Sequence, residues 1–230
     1  MYIAAAIIVI LALSVYLFYA SYYIGSGVYI KAQCSVATKE KEVFLTFDDG
    51  PSNHTMAVLD VLERHQAKAI FFLIGKNAEE NPELVKQIVA KGHQIGNHSY
   101  CHKGTFPLMS SNKIAEDICH CNQILTDITG QAPTLFRPPF GVTNPLIASG
   151  LKKTKIDFHT IGWNIRSFDT MEGGTEKILR RITDQLLPGS IILLHDRMAF
   201  SAELLDQLLT KIESEGWKVG TLRSSSSNLA

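Results

Sequence analysis

The pattern of apolar and polar positions divides the chain in two. Residues 1–30 contain no Asp, Glu, Lys or Arg. Tyr2 to Ile24 is almost wholly apolar, and as a helix it would run about 34 Å at ~1.5 Å per residue, enough to cross a hydrocarbon core of about 30 Å. Tyr16, Tyr19, Tyr22 and Tyr23 crowd one end, as an interfacial aromatic belt does. This predicts an uncleaved transmembrane anchor over residues 1–24. The alternative is a cleaved signal peptide, but the run is long for an h-region and no clear A-x-A site follows it. Gly25-Ser26-Gly27 ends the run, and residues 25–41 read as a linker.

From Glu42 the pattern alternates between strand and helix. Val43-Phe44-Leu45 reads as a buried strand that stops at Gly50-Pro51. Thr55 to His65 reads as a helix with Val58, Leu59, Val61 and Leu62 on its apolar face, and Ala69 to Ile74 as a strand. Asn81 and Pro82 open another helix that closes before Gly92. A short strand, Gln94 to Asn97, precedes a helix near Ser110 to Thr129. Its apolar positions Ile114, Ile118, Cys121, Leu125 and Ile128 have helical spacing, and Gly130 stops it. Further strands are expected at Leu135–Pro138, around Phe158–Trp163, at Ser190–Leu194 and at Trp217–Leu222. Helices are expected near Asn144–Lys152, around Ile178–Leu186 and over Ala202–Glu215. Residues 42–222 thus form one α/β domain, and residues 223–230 a polar, disordered tail. About seven β/α units imply either an α/β barrel or a doubly wound sheet, and periodicity does not choose between them.

Composition changes this picture little. Lys and Arg total 22 and Asp and Glu total 22, a formal net charge of zero. That balance argues against a nucleic-acid partner, which would require a basic excess. The first positive side chains, Lys31, Lys39 and Lys41, lie after the apolar run, which by the positive-inside rule would place the domain in the cytoplasm. The four cysteines form no disulfide framework. Cys119 and Cys121 point to different faces of one expected helix, Cys101 lies between two histidines, and Cys34 lies in the linker.

Candidate chemistry begins at Thr46-Phe47-Asp48-Asp49-Gly50-Pro51. Two adjacent carboxylates are costly in a dry interior, so the strand delivers them to an edge, where an active site or a solvated turn would stand. His98-Ser99-Tyr100-Cys101-His102 places two imidazoles at i and i+4, where they can face one metal on a helix or in a loop, or can simply be surface histidines. Ser99 stands where an H-E-x-x-H protease needs Glu, which counts against that class. Asn53-His54-Thr55 and Asn97-His98-Ser99 match the glycosylation pattern and are read as coincidences. His54, His65, His93, His120 and His159 are read as surface or supporting residues.

Together these stretches resemble the polysaccharide deacetylases with a NodB-type domain (carbohydrate esterase family 4), whose motifs include T-F-D-D-G-P and H-S/T-x-x-H. Arg137-Pro138-Pro139-Phe140-Gly141, Trp163 to Asp169, and Leu193-Leu194-His195-Asp196 follow in family order. The resemblance runs from about Glu42 to Leu222. It implies a distorted, incomplete (β/α)7 barrel preceded here by the transmembrane helix. It assigns Asp49, His98 and His102 to a divalent metal, zinc first, with cobalt, nickel or manganese as alternatives. It makes Asp48 the general base, Arg137 its partner, His195 the general acid and Asp169 the carboxylate that tunes it. Pro139, Phe140 and Leu193 would meet the substrate, with the Phe140 N–H as an oxyanion donor and Leu193 against the acetyl methyl.

The chain departs from the family pattern at three places. Phe140 stands where Tyr is usual, Arg166 where the fourth motif has its first Asp, and Thr170 where it has Trp. The last change puts one wall of the sugar pocket in doubt. Trp163 is read as core rather than as a stacking surface, and Asp196 as structural. The expected activity is hydrolysis of N-acetyl groups from amino sugars of a cell-wall or related polysaccharide such as peptidoglycan. The alternatives are an O-acetyl esterase on a polysaccharide such as xylan, and an inactive carbohydrate-binding relative. Because such polymers lie outside the cell, the domain is expected to be extracytoplasmic, against the charge rule.

Overall fold

The computed structural model describes residues 2–171 and 174–222, so the expected tail, residues 223–230, lies outside the described residues. Eight parallel strands form one sheet: β1 (Glu42–Gly50), β2 (Ala69–Leu73), β3 (Gln94–Asn97), β4 (Leu135–Phe136), β5 (His159–Thr160), β6 (Ile165–Arg166), β7 (Ser190–His195) and β8 (Lys218–Val219). Their order is β5-β4-β3-β2-β1-β7-β6, with β8 beside the start of β1.

The connection between β5 and β6 decides between barrel and open sheet. The two strands are opposite edges of that order, yet only residues 161–164 join them. Such a link reaches about 18 Å at most. Flattened, a seven-strand sheet would hold its edges roughly 29 Å apart at ~4.8 Å per strand. The sheet therefore curls, and it is an incomplete barrel. The single strand expected around Phe158–Trp163 is two short ones, because the chain leaves one edge and joins the other within it. Across the open seam lies the segment Gln33–Val36. Gln33 bridges Ile161 and Ser35 bridges Ser190.

Alternation along β1 sorts the core. Val43, Leu45 and Phe47 face the outer helices, while Phe44 packs inside the barrel with Ile70, Phe72, Leu135, Ile161 and Ile191. The same period turns Thr46 and Asp48 inward. The outer layer comprises α2 (Thr55–Arg64), α3 (Gly75–Glu80), α4 (Pro82–Ala90), α5 (Ser111–Thr129), α6 (Pro145–Lys153), α7 (Thr175–Thr183) and α8 (Ser201–Ser214), after the N-terminal α1 (Tyr2–Tyr22). Leu204, Leu205, Leu208, Leu209 and Ile212 of α8 lie at helical spacing and are all buried in this outer core. The short α3 has no apolar stripe, so periodicity does not find it. Ser110 caps α5 and Gly130, at φ 75°, ends it. Asn81 occupies the cap position of α4 without capping it, since its amide donates to the Asn77 carbonyl instead.

Candidate active site

The C-terminal ends of β1, β3 and β7, and the loop after β4, open onto one cavity of about 420 Å³. Strict alternation would send the side chains of Asp48 and Asp49 to opposite faces. The structure avoids this with a bulge between Asp48 and Gly50 in the pairing with β2, where Asp49 adopts φ 72°. A left-handed non-glycine residue is uncommon and costs free energy, and here it turns Asp49 back toward the cavity that Asp48 already faces.

His98 and His102 lie in the loop after β3 rather than on a helix, with Ser99 at φ 68° and His102 at φ 43°. His98 Nδ1 meets the Arg137 carbonyl at 2.8 Å, which fixes Nδ1 as the protonated nitrogen and frees Nε2. His98 Nε2 lies 3.6 Å from Asp49 Oδ1, and His102 Nε2 lies 3.4 Å from the same oxygen. Three ligands on a tetrahedral ion with bonds of about 2.05 Å stand roughly 3.3 Å apart. The donor set therefore fits a divalent metal with an open position, and the facing atoms of all three side chains lie within 4.8 Å of one another. Burial and the neighbouring His98 push His102 down to about 4, so its imidazole is neutral and able to ligate at neutral pH. Burial alone would raise Asp49, but His98, His102, His195 and Arg197 outweigh it and hold the carboxyl below its usual range.

Two charge pairs flank this cluster. Arg137 is fully buried, with 0% exposure. Its Nη1 donates to Asp48 Oδ1 at 2.7 Å and to Thr46 Oγ1 at 2.9 Å. Its Nε donates to the Ile161 carbonyl at 3.0 Å and its Nη2 to the Gly162 carbonyl at 2.7 Å. The guanidinium carbon lies 4.2 Å from the Phe72 ring centre and 5.3 Å from that of Trp163. Held this way, Asp48 turns Oδ2 toward the cluster, 3.7 Å from His98 Nε2. On the other side, Asp169 Oδ1 meets His195 Nδ1 at 2.7 Å while Oδ2 accepts the His195 backbone N–H, also at 2.7 Å. Burial works against charge on His195, but the bond to Asp169 and its charge prevail, so the imidazole titrates above its ordinary value. Its free Nε2 lies 3.9 Å from Asp49 Oδ2, across the mouth of the cavity.

Leu193 and Phe140 line the cavity, and the Phe140 ring stands 4.5 Å from that of His102. Phe140 sits at φ 62° in the turn Pro139–Gly141, and among the described residues its N–H has no partner within the chain. Pro139 is buried and is not among the residues lining the cavity. The Phe140 turn leaves it behind the wall, where it shapes the loop. Trp163, read from sequence as core, is both core and wall. It packs beside the inner cluster, covers Arg137 and lines the cavity. Arg166 and Thr170 line the same side. Asp196, read from sequence as structural, does not line the cavity. It is buried, accepts from Thr55 Oγ1 at 2.6 Å, and is pushed up to about 6 by burial.

Sequence reading missed Arg197, whose Nε donates to Asp49 Oδ2 at 2.9 Å and so leaves Oδ1 to face the imidazoles. It also missed Asn77, which donates to the Asp49 carbonyl. Arg197 stands two residues past His195, and only the barrel brings it to β1. The four cysteines are free, and Cys101 is no part of the Asp49, His98 and His102 cluster.

Residues 35–159 match the family model for polysaccharide deacetylase. The chain belongs to the polysaccharide deacetylase family. It is 38% identical over 189 residues to the peptidoglycan-N-acetylglucosamine deacetylase PgdA of Listeria monocytogenes, a match covering 81% of this chain and 39% of that protein. A peptidoglycan-N-acetylglucosamine deacetylase of Bacillus cereus is 34% identical, with 88% of this chain and 71% of the relative covered. The chain thus spans about two fifths of the first of these relatives. Among solved structures, the Bc1960 peptidoglycan N-acetylglucosamine deacetylase superposes with a TM-score of 0.77 at 32% identity, covering 83% of this chain and 90% of that one. A family pseudoenzyme from Bacillus anthracis, BA3943, superposes with a TM-score of 0.74 at 29% identity, covering 81% and 66%. This deacetylase-family fold therefore does not decide activity, and the site residues must.

Proposed function

We propose that the chain is a membrane-anchored, metal-dependent deacetylase that hydrolyses N-acetyl groups on amino sugars of peptidoglycan, releasing acetate and the free amine. Residues 1–24 serve as the anchor and residues 42–222 as an extracytoplasmic catalytic domain. The supporting observation is the position of Asp48. It stands beside the Asp49, His98 and His102 cluster but is held by Arg137, so a base remains available next to a complete ligand set. When bound, a divalent metal, zinc first, lowers the pKa of water and polarises the acetyl carbonyl.

The chain's own residues do the rest. Asp48 takes a proton from water as its oxygen bonds to the carbonyl carbon. The Phe140 N–H donates toward the oxygen that gains negative charge. His195, kept protonated by Asp169, gives its proton to the sugar nitrogen as the C–N bond breaks. Leu193 lines the space for the acetyl methyl. The relatives named for peptidoglycan, and a cavity large enough for a sugar ring, support the substrate class.

The test is acetate release by the purified full chain in detergent, offered peptidoglycan fragments, chitin oligomers and acetylxylan. The expected result is release from peptidoglycan that stops on chelation and returns with added metal. Release from acetylxylan alone would make it an esterase, and glycan binding without any release would make it an inactive relative.

A further inference from the structure

The anchor helix is docked on the catalytic face. The last carbonyls of a helix lack partners within it, and those of α1 are taken up by the domain. Thr143 donates its backbone N–H to the Ser21 carbonyl at 2.9 Å and its hydroxyl to the Ala20 carbonyl at 3.2 Å. Ser26 Oγ also donates to the Ala20 carbonyl, at 2.9 Å. Ala20 and Ile24 are buried, and a Cβ at Gly162 would meet Ile24 at 3.2 Å. Thr143 lies three residues from Phe140 on the cavity wall, and Gly162 supplies a carbonyl to Arg137. The helix therefore ends against the loops that build the catalytic mouth.

Several exposed apolar side chains surround this exit. Tyr22 and Tyr23 are exposed on the helix end, Phe140 on the mouth, Leu146 at 42% exposure on α6 and Leu108 at 80% on the turn Phe106–Leu108. Asn144 Nδ2 donates to the Pro107 carbonyl at 2.7 Å, which brings Leu108 and Leu146 to either side of one contact. Residues 104–112 and 138–151 contain no charged side chain, and the charge at their border is basic: Lys103, Lys113 and Lys153, whose Nζ donates to Ser111 Oγ and Asn112 Oδ1 at 2.6 Å each. The opposite end of the barrel, where β1, β2 and β8 begin, carries Lys41, Lys68, Glu215 and Lys218, while on the mouth side Arg166 and Arg197 line the cavity. α1 is itself long and apolar enough to cross a membrane. An exposed apolar patch continuous with such a helix, with tyrosines at the junction, has the composition of a membrane–water interface.

We infer that the bilayer itself covers this patch. The catalytic mouth then opens along the membrane surface, and the enzyme works on acetylated amino sugars presented at that surface. The inference rests on the anchored deacetylase reading above and adds orientation and substrate presentation to it.

The test uses the full chain in phosphatidylethanolamine–phosphatidylglycerol vesicles containing spin-labelled lipid. Tryptophan is introduced singly as Leu108→Trp, Leu146→Trp and Glu215→Trp, and the emission of the parent chain is subtracted. Quenching several-fold stronger at 108 and 146 than at 215 is expected, and equal quenching overturns the orientation. In the same vesicles, a lipid-attached N-acetylated disaccharide should release acetate at least tenfold faster than the same disaccharide in solution. The double variant L108E/L146E should lose that advantage while keeping its rate on the dissolved sugar. Equal rates on the two sugars overturn the presentation claim. Normal release from the dissolved sugar with equal quenching refutes the orientation while the deacetylase reading stands. A chain that fails to float with vesicles refutes the anchor and this inference together. No release from either sugar refutes the substrate claim and leaves the quenching result to decide orientation.

Discussion

The two sides of the cavity are built by different means. Asp49, His98 and His102 stand on irregular backbone, with Asp49 on a bulge and His102 in a loop, both at positive φ. Asp48, Arg137 and His195 stand at or just past the ends of regular strands, and each is already paired with a buried partner. The side proposed to handle protons thus has its partners within the protein. The ligand side holds two imidazoles and a carboxylate at positions whose backbone cost a bound ion would offset. The contrast predicts that substitutions on the two sides fail differently.

The largest effect separates the sides outright. Asp49→Ala or His98→Ala should lose metal and activity together, read by metal content after desalting and by acetate release. Asp48→Asn should keep its metal and lose about 10²–10⁴ in turnover, the usual contribution of a positioned base. Metal loss in Asp48→Asn would show that the two sides are not independent.

A change in pH dependence comes next. A His whose pKa is raised in the fold is protonated, and contributes stability, below about 6.5; that contribution is lost as pH rises through the raised value. The acid form of His195 therefore persists above the usual imidazole range, and turnover should fall on the alkaline side as it deprotonates. Asp169→Asn removes the charge that holds the proton, so this alkaline limb should move to lower pH while metal content stays unchanged. An unmoved limb would assign it to another group.

The smallest effect concerns Arg197. Its Nε holds Asp49 Oδ2 from outside the ligand set. Supporting partners of this kind are worth roughly 10–100-fold in metal affinity. Arg197→Ala should weaken metal retention by about tenfold in a chelator competition, with turnover at saturating metal reduced less.

How much of this was legible in the sequence depends on what each feature rests on. Helices with a long apolar stripe, such as α5 and α8, are readable because burial of that stripe forms them. The β5–β6 break is not, because Phe158–Trp163 reads as a single strand and only the curl of the sheet divides it. Motif spacing points to Asp48, Asp49, His98, His102, Arg137 and His195, and the fold gathers them around one cluster. Arg197 and Asn77 act through contacts to β1 that no local pattern encodes. Trp163 shows the limit from another direction, since one indole can be buried on one face and line a cavity with the other.

The seam segment has a practical consequence for anyone trimming this protein. Gln33 accepts from the Gly162 N–H and donates to the Thr160 carbonyl, and Val36 donates to the Gly189 carbonyl. Those bonds brace the stretch that carries both carbonyl acceptors for Arg137 Nε and Nη2. A shortened version beginning at Glu42, where the first strand starts, would unlace the barrel beside Arg137 and Asp48. A soluble form should instead begin upstream of Ile30, whose side chain is already buried in the body of the domain.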